Sequence, residues 1–150
     1  MVLEGKNGNK FELTIVGYEF PRNVEGEYNS NWLVVKIYAA ANGRGWTKQA
    51  PALLTWEVES LTKWLDGLES DLSNKELEFM EPNIRFQFIS RSNDAFTFKV
   101  LLELELRAPW LPEAFPGEDE FGPLLDCSVS DVLAWSNDLK AQLKKFPIRQ

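Results

Sequence analysis

The sequence contains no histidine and a single cysteine, Cys127, among its 150 residues. Without histidine, Ser-His-Asp and Cys-His nucleophilic catalysis and histidine-ligated zinc sites are excluded. One cysteine excludes an internal disulfide and clusters of thiolate metal ligands. Acidic residues surround Cys127, and they disfavour the thiolate that a reactive cysteine requires. We therefore expect no catalytic residue, no cofactor and no metal site.

Long apolar runs and targeting signals are also lacking. No run approaches the roughly 20 apolar residues of a membrane-spanning helix, and the first residues, MVLEGKNGNKFEL, lack the layout of a signal peptide. A lone cysteine fits a reducing compartment. We therefore expect a cytoplasmic protein that does not enter a membrane. The length fits one domain over residues 1–150.

Negative charge is in excess, and it is unevenly distributed. Of the 23 acidic residues, seven lie between Ala108 and Leu139, a span without lysine or arginine. The other 16 acidic residues balance the 16 basic residues, so the net charge of −7 belongs to this span. Two interpretations stay open, namely plain solubility and an anionic surface that attracts a basic partner. Nucleic acid is an unfavourable partner because its phosphates would be repelled.

The spacing of apolar residues predicts the order of strands and helices. Alternation at period two predicts strands near residues 11–15, 33–37, 46–54, 77–79, 84–88 and 96–106, with Leu124 and Leu125 as a candidate edge strand. The sequence NGRG at Asn42–Gly45 is typical of a hairpin turn. Steps of three and four predict one helix capped by Thr55 and another capped by Ser130.

The alternation also predicts the fold class. The strand from Phe96 to Leu106 has one apolar and one polar face, which is typical of an antiparallel sheet with one face in water. Connections of hairpin length join most of the strands. We therefore expect an α+β fold, with a single twisted antiparallel sheet of about six strands covered by two helices.

One stretch, RAPWLPEAFPGEDEFGPLLDC at Arg107–Cys127, combines aromatic residues, prolines and an acidic triplet. Two arrangements stay open for its aromatic side chains. They either plug one end of the sheet, or remain exposed as anchors ringed by carboxylates, a composition typical of a binding hot spot. Prolines favour both arrangements equally, because they lower the entropy lost on ordering. The candidate partner-binding residues are Trp110, Phe115, Glu118, Asp119, Glu120 and Phe121.

Paired carboxylates are the catalytic groups that the composition leaves open. Glu103 and Glu105 share the polar face of a predicted strand with Lys99, which is typical of a solvated surface. The triplet Glu118–Glu120 lacks the alternating spacing of a calcium loop. An enzyme or ligand binder based on carboxylates is therefore a less favoured alternative.

Several fragments together resemble a known family. They are LTIVGYEFP, NWLVVKI, ALLTWEVESLTKWLDGL, LEFMEPNIRF, LELELRAPW and the final FPIRQ. In this order and spacing, the chain resembles the WapI-like immunity family of small bacterial proteins over nearly its whole length. The resemblance implies neutralisation of a cognate toxin by binding, and it brings no catalytic motif.

We therefore predict a non-catalytic protein-binding module that is a monomer or a homodimer. Its expected partner is a protein, and the local acidity favours a basic toxin domain such as a nuclease. The alternative is a structural or regulatory module with another protein partner, or a homodimer that forms through an edge strand.

Overall fold

The computed structural model describes residues 1–22, 25–70, 74–111 and 121–150. These residues form two antiparallel four-stranded sheets and three α-helices. The first sheet contains, in spatial order, β1 (Leu3–Glu4), β2 (Lys10–Tyr18), β3 (Trp32–Ala41) and β4 (Arg44–Leu54). The second contains β5 (Glu76–Leu77), β6 (Ile84–Arg91), β7 (Ala95–Leu102) and β8 (Leu124–Ser128). The helices are α1 (Glu27–Asn31), α2 (Thr55–Gly67) and α3 (Val129–Leu143).

The α+β class is confirmed, whereas the single sheet of about six strands covered by two helices is wrong. Each sheet is a meander in which strands adjacent in sequence are paired, as the hairpin signals predict. The helix α2 interrupts the chain between β4 and β5, and the second meander starts a new sheet. Apolar periodicity gives the buried face of a strand but not its neighbours, so it could not divide the strands between two sheets.

The two sheets share one hydrophobic core with α2 and α3. The ring of Phe11 in β2 lies 6.1 Å from that of Phe86 in β6, between centroids. Trp135 of α3 lies 5.9 Å from Phe11 and 6.2 Å from Phe86. All three side chains are fully buried. Aromatic contacts of this kind contribute about 0.5–1.5 kcal/mol each beyond burial of area, so this trio ties both sheets to α3.

The hairpin between β3 and β4 closes in two residues. Asn42 and Gly43 have φ of 54° and 81°, the left-handed pair of a type I′ turn, which matches the twist of the flanking strands. Ala41 pairs with Arg44 directly beyond the turn. The predicted turn is confirmed, and it fixes where Arg44 and the following Trp46 stand at the end of the sheet.

The predicted strand from Phe96 to Leu106 ends early, at Leu102. Its neighbour β6 begins only at Ile84, and the last ladder bond joins the Glu103 N–H to the Asn83 carbonyl at 3.0 Å. Leu104 then adopts a φ of 52° and is 50% exposed, a conformation that costs energy for a branched side chain. A 3₁₀ turn follows, so the alternating leucines do not share one strand face.

Both predicted helix caps are wrong by one or two residues. The N-cap of α2 is Leu54, whose N–H donates to Glu57 Oε2 at 2.9 Å. The Thr55 hydroxyl donates instead to Asn31 Oδ1 at 3.0 Å. For α3 the cap is Ser128, which accepts the Asp131 N–H at 3.1 Å. In the described part of the chain, no helix combines the length and the apolar character that a membrane span needs.

Candidate partner-binding loop

The connection that leaves β7 and returns to β8 contains most of the predicted site. We call residues 103–120 the acidic loop, and the structure describes residues 103–111 of it. Its two ends meet, because Leu102 N–H donates to the Phe121 carbonyl at 3.0 Å and Phe121 N–H donates to the Leu102 carbonyl at 3.3 Å. Long connections whose ends meet are often functional. The acidic loop therefore leaves and rejoins the sheet at one pair of hydrogen-bonded residues.

The pairing with β7 that follows the acidic loop depends on Gly122. Val100 N–H donates to the Pro123 carbonyl at 3.1 Å, which brings residue 122 against β7. A Cβ on Gly122 would lie 1.6 Å from the Val100 carbonyl oxygen. Only glycine permits this approach without displacing the strand. The close contact fixes where the chain re-enters the sheet.

The first part of the acidic loop is anchored in the core. Leu106, Ala108 and Leu111 are fully buried. Trp46 of β4 is also buried, and its Nε1–H donates to the Leu106 carbonyl at 3.0 Å. The inner face of the first sheet therefore holds the start of a loop that belongs to the second sheet.

Trp46 also brings together two of the predicted binding residues. Trp110 packs edge-on against it, with ring centroids 5.2 Å apart, and Phe121 lies 6.0 Å away. The guanidinium of Arg44 lies 4.0 Å above the Trp110 ring. We call Arg44, Trp46, Trp110 and Phe121 the tryptophan cluster. Trp110 and Phe121 are half-buried, so each is partly a plug and partly a surface residue.

The other predicted binding residues, Phe115, Glu118, Asp119 and Glu120, lie outside the described residues. The partner-binding role of the whole set stays a prediction. Neither Arg44 nor Trp46 is among the candidate residues selected from the sequence. The only signal for their part in the site is their position just after the hairpin turn, since nothing in the sequence pairs them with Trp110.

Three further acidic residues of the anionic span lie outside the acidic loop. Asp138 is paired with the amino group of Met1 at 3.2 Å and accepts a hydrogen bond from Gln142 Nε2 at 3.0 Å. Asp126 is half-buried in β8, and Asp131 is exposed in the first turn of α3. The span therefore includes a carboxylate that is locally neutralised, and its charge is not all available to a partner.

Glu105, which the sequence analysis placed on a solvated surface, is exposed and lines a hollow together with other carboxylates. Glu19, Glu81 and Glu105 line a hollow of about 350 Å³, together with Trp32 and Pro51. Glu105 Oε2 accepts a hydrogen bond from the buried Asn83 Nδ2 at 2.6 Å. Within the described residues, no group of three or more His, Cys, Asp or Glu residues is arranged to hold a metal ion.

A larger groove, of about 510 Å³, lies between α2, α3 and the residues after α3. Its two carboxylates both have basic neighbours. Glu59 pairs with Lys63 at 3.4 Å, and Asp66 pairs with Lys140. Asp66 Oδ1 also accepts the Ser136 hydroxyl at 2.7 Å. These carboxylates are held by partners, which does not favour a general acid and base at this place.

Cys127 is fully buried in β8. Burial raises the pKa of its thiol to about 12, and the nearby charges of Asp131 and Asp126 add to this effect. The Sγ–H donates weakly to the Glu4 carbonyl at 3.4 Å. The thiol is therefore protonated at neutral pH, which does not suit a nucleophile or a metal ligand.

The fold and the site describe an α+β protein with a closed, aromatic and acidic loop. The chain matches the model of the Immunity protein WapI-like family over residues 2–147 and belongs to that family. Comparisons with curated proteins and with solved structures give no match.

Proposed function

We propose that this protein neutralises a cognate toxin by binding it, and that the acidic loop and its flanks form the binding surface. Membership of the immunity family is the observation that carries the proposal. The expected contact residues are Trp110, Phe115, Glu118, Asp119, Glu120 and Phe121. The toxin would be met in the cytoplasm, where a lone reduced cysteine is stable.

Binding without catalysis accounts best for the chemistry of the chain. The sequence has no histidine. The carboxylates of the larger groove are paired with Lys63 and Lys140, and the one thiol is buried and protonated. What the loop offers is aromatic surface beside negative charge, which is the composition of a protein-binding hot spot.

The charge indicates the kind of toxin. The net charge of −7 is concentrated in one span, and such asymmetry raises association rates with a basic partner by roughly 10- to 1,000-fold at low salt. A nuclease domain is basic because it must bind phosphates. The acidic loop would occupy the basic surface of the nuclease to which the phosphate backbone of its nucleic-acid substrate binds.

The direct test measures association with the cognate toxin domain, to be sought as the variable C-terminal domain of a large secreted protein encoded next to the gene of this chain. Replacing Glu118 and Glu120 by Gln and Asp119 by Asn should slow association at least tenfold at low salt and flatten its salt dependence. The matched control replaces Glu25, Glu27 and Glu69 by Gln, which changes the net charge equally on exposed positions. Equal association rates for the two triple variants would refute the role of the acidic loop.

A homodimer is a second candidate, because β4 lies at the edge of the first sheet. This strand runs over Arg44–Leu54, and no described residue forms a ladder on its outer side. Pro51 and the half-buried Lys48 oppose pairing with a second copy, as such residues do on protected edges. Light scattering over a concentration series separates a monomer from a dimer that extends the sheet.

A further inference from the structure

One face of the half-buried Trp110 ring already holds a cation. The Arg44 guanidinium lies 4.0 Å above the ring centroid, and Trp46 packs against the ring edge-on, with centroids 5.2 Å apart. Among the described residues, no carboxylate forms an ion pair with Arg44. Within residues 1–22, 25–70, 74–111 and 121–150, the Trp110 ring is therefore the contact that the structure shows for the charge of this exposed arginine.

The geometry shows which side chains the Trp110 face accepts. A cation is attracted to the face of an indole, and a planar guanidinium adds stacking. Arg44 is exposed, so water competes for its charge and the contact is weak enough to exchange. The indole stays in place when Arg44 leaves, because Trp46 supports it from β4.

We propose that the Trp110 face binds an Arg or Lys side chain of a basic protein partner, and that Arg44 occupies this position until the partner displaces it. The proposal rests on the proposed function, and it names one binding position and an internal competitor. An anionic chain attracts the partner, and the indole then receives one of its cations. Arg44 keeps the indole face covered while the partner is absent.

This proposal and a purely structural role of Arg44 predict effects of opposite sign. If Arg44 competes with the partner, its removal frees the indole face and strengthens binding. If Arg44 instead props Trp110 in its binding conformation, its removal weakens binding. The strength of an exposed cation–π contact corresponds to about a two- to fivefold change in the dissociation constant.

The experiment titrates a nona-arginine peptide into the full chain at low salt and follows binding by calorimetry. Arg44→Gln is compared with Lys36→Gln, which removes the same charge from an exposed position of β3. We expect Arg44→Gln to bind the peptide about two- to fivefold more tightly than Lys36→Gln. Equal or weaker binding by Arg44→Gln, or no peptide binding by either variant, overturns the proposal.

A second comparison tests whether the tighter peptide binding of Arg44→Gln depends on the Trp110 indole. In a Trp110→Leu background, Arg44→Gln should bind the peptide no better than Lys36→Gln, since the cation position is gone. A gain that persists without Trp110 overturns the proposal. Circular dichroism of each variant confirms that it is folded. The toxin experiment with Glu118, Asp119 and Glu120 tests the proposed function separately, because neither Arg44 nor Trp110 is changed there.

Discussion

The hairpin β3–β4 and the pair β7–β8 are both antiparallel neighbours, yet their connections differ greatly in length. Two residues, Asn42 and Gly43, join β3 to β4, whereas residues 103–123 join β7 to β8. Lengthening a flexible loop costs only about 0.6 kcal/mol per doubling. The pairing of β7 with β8 therefore tolerates a long connection, and Leu106, Ala108 and Leu111 within it add buried side chains to the core. Its described aromatic residues Trp110 and Phe121 pack against Trp46, and contact of its acidic residues with a partner stays a proposal.

A substitution where the long connection rejoins the sheet should cause the largest loss in the free energy of unfolding. Replacing Gly122 with Ala forces a Cβ towards the Val100 carbonyl oxygen, 1.6 Å away before relaxation, and should cost about 3 kcal/mol or more. Gly43→Ala in the short turn, at φ 81°, should cost only about 1–2 kcal/mol. Urea denaturation of both variants measures the difference. Equal losses would show that the chain re-enters the sheet elsewhere.

Removing the hydrogen bond by which Trp46 anchors the long connection should cause the second largest loss of stability. Trp46→Phe removes the Nε1–H that reaches the Leu106 carbonyl, and leaving this buried acceptor unpaired should cost about 2 kcal/mol. Limited proteolysis should also cut the acidic loop faster. Trp56→Phe is the control, because Trp56 is half-buried and packs edge-on against the exposed Tyr28. Identical cleavage of the two variants would contradict an anchoring role for Trp46.

The pH dependence of stability shows whether the Cys127 thiol stays buried in β8, the strand that follows the long connection. Because its folded pKa is about 12 against an ordinary value of 9.0, the thiol contributes fully to stability below pH 9 and loses this contribution as pH rises towards 12. Between pH 8 and pH 10, stability should fall by about 1 kcal/mol more than in Cys127→Ala. Parallel pH profiles would mean that the thiol is accessible in the folded protein.

The smallest effect on stability should come from the loop itself. Replacing residues 112–120 with a Gly-Ser linker of equal length should change the free energy of unfolding by about 0.5 kcal/mol or less, and should abolish toxin binding. The same linker variant is compared with the parent protein in urea and in the toxin assay. A large loss of stability would show that this segment belongs to the fold.

The periodicity of the sequence predicted local structure well and long-range partners poorly. Phe11, Leu13 and Ile15 alternate and are buried in β2 as expected, and Val58, Leu61 and Leu65 form the buried stripe of α2. Membership of the WapI-like family, predicted from short fragments, is confirmed. The division into two sheets was missed because alternation does not encode which strands are neighbours.

The members of the tryptophan cluster were selected only in part for the same reason, and their role in binding stays a prediction. Trp110 and Phe121 stood out by composition, and the structure brings both against Trp46. Trp46 and Arg44 were not selected, because they are distant in sequence and follow an ordinary hairpin turn. The early end of β7 was also missed, since Leu104 continues the alternation although its backbone is left-handed.

The paired hydrogen bonds between Leu102 and Phe121 hold the two ends of the intervening segment together. Residues up to Leu111 are also anchored in the core, so a replacement segment has to span from Leu111 to Phe121 to keep both attachments. On the proposed function, sequence changes between Leu111 and Phe121 would alter the binding surface and leave both attachments in place.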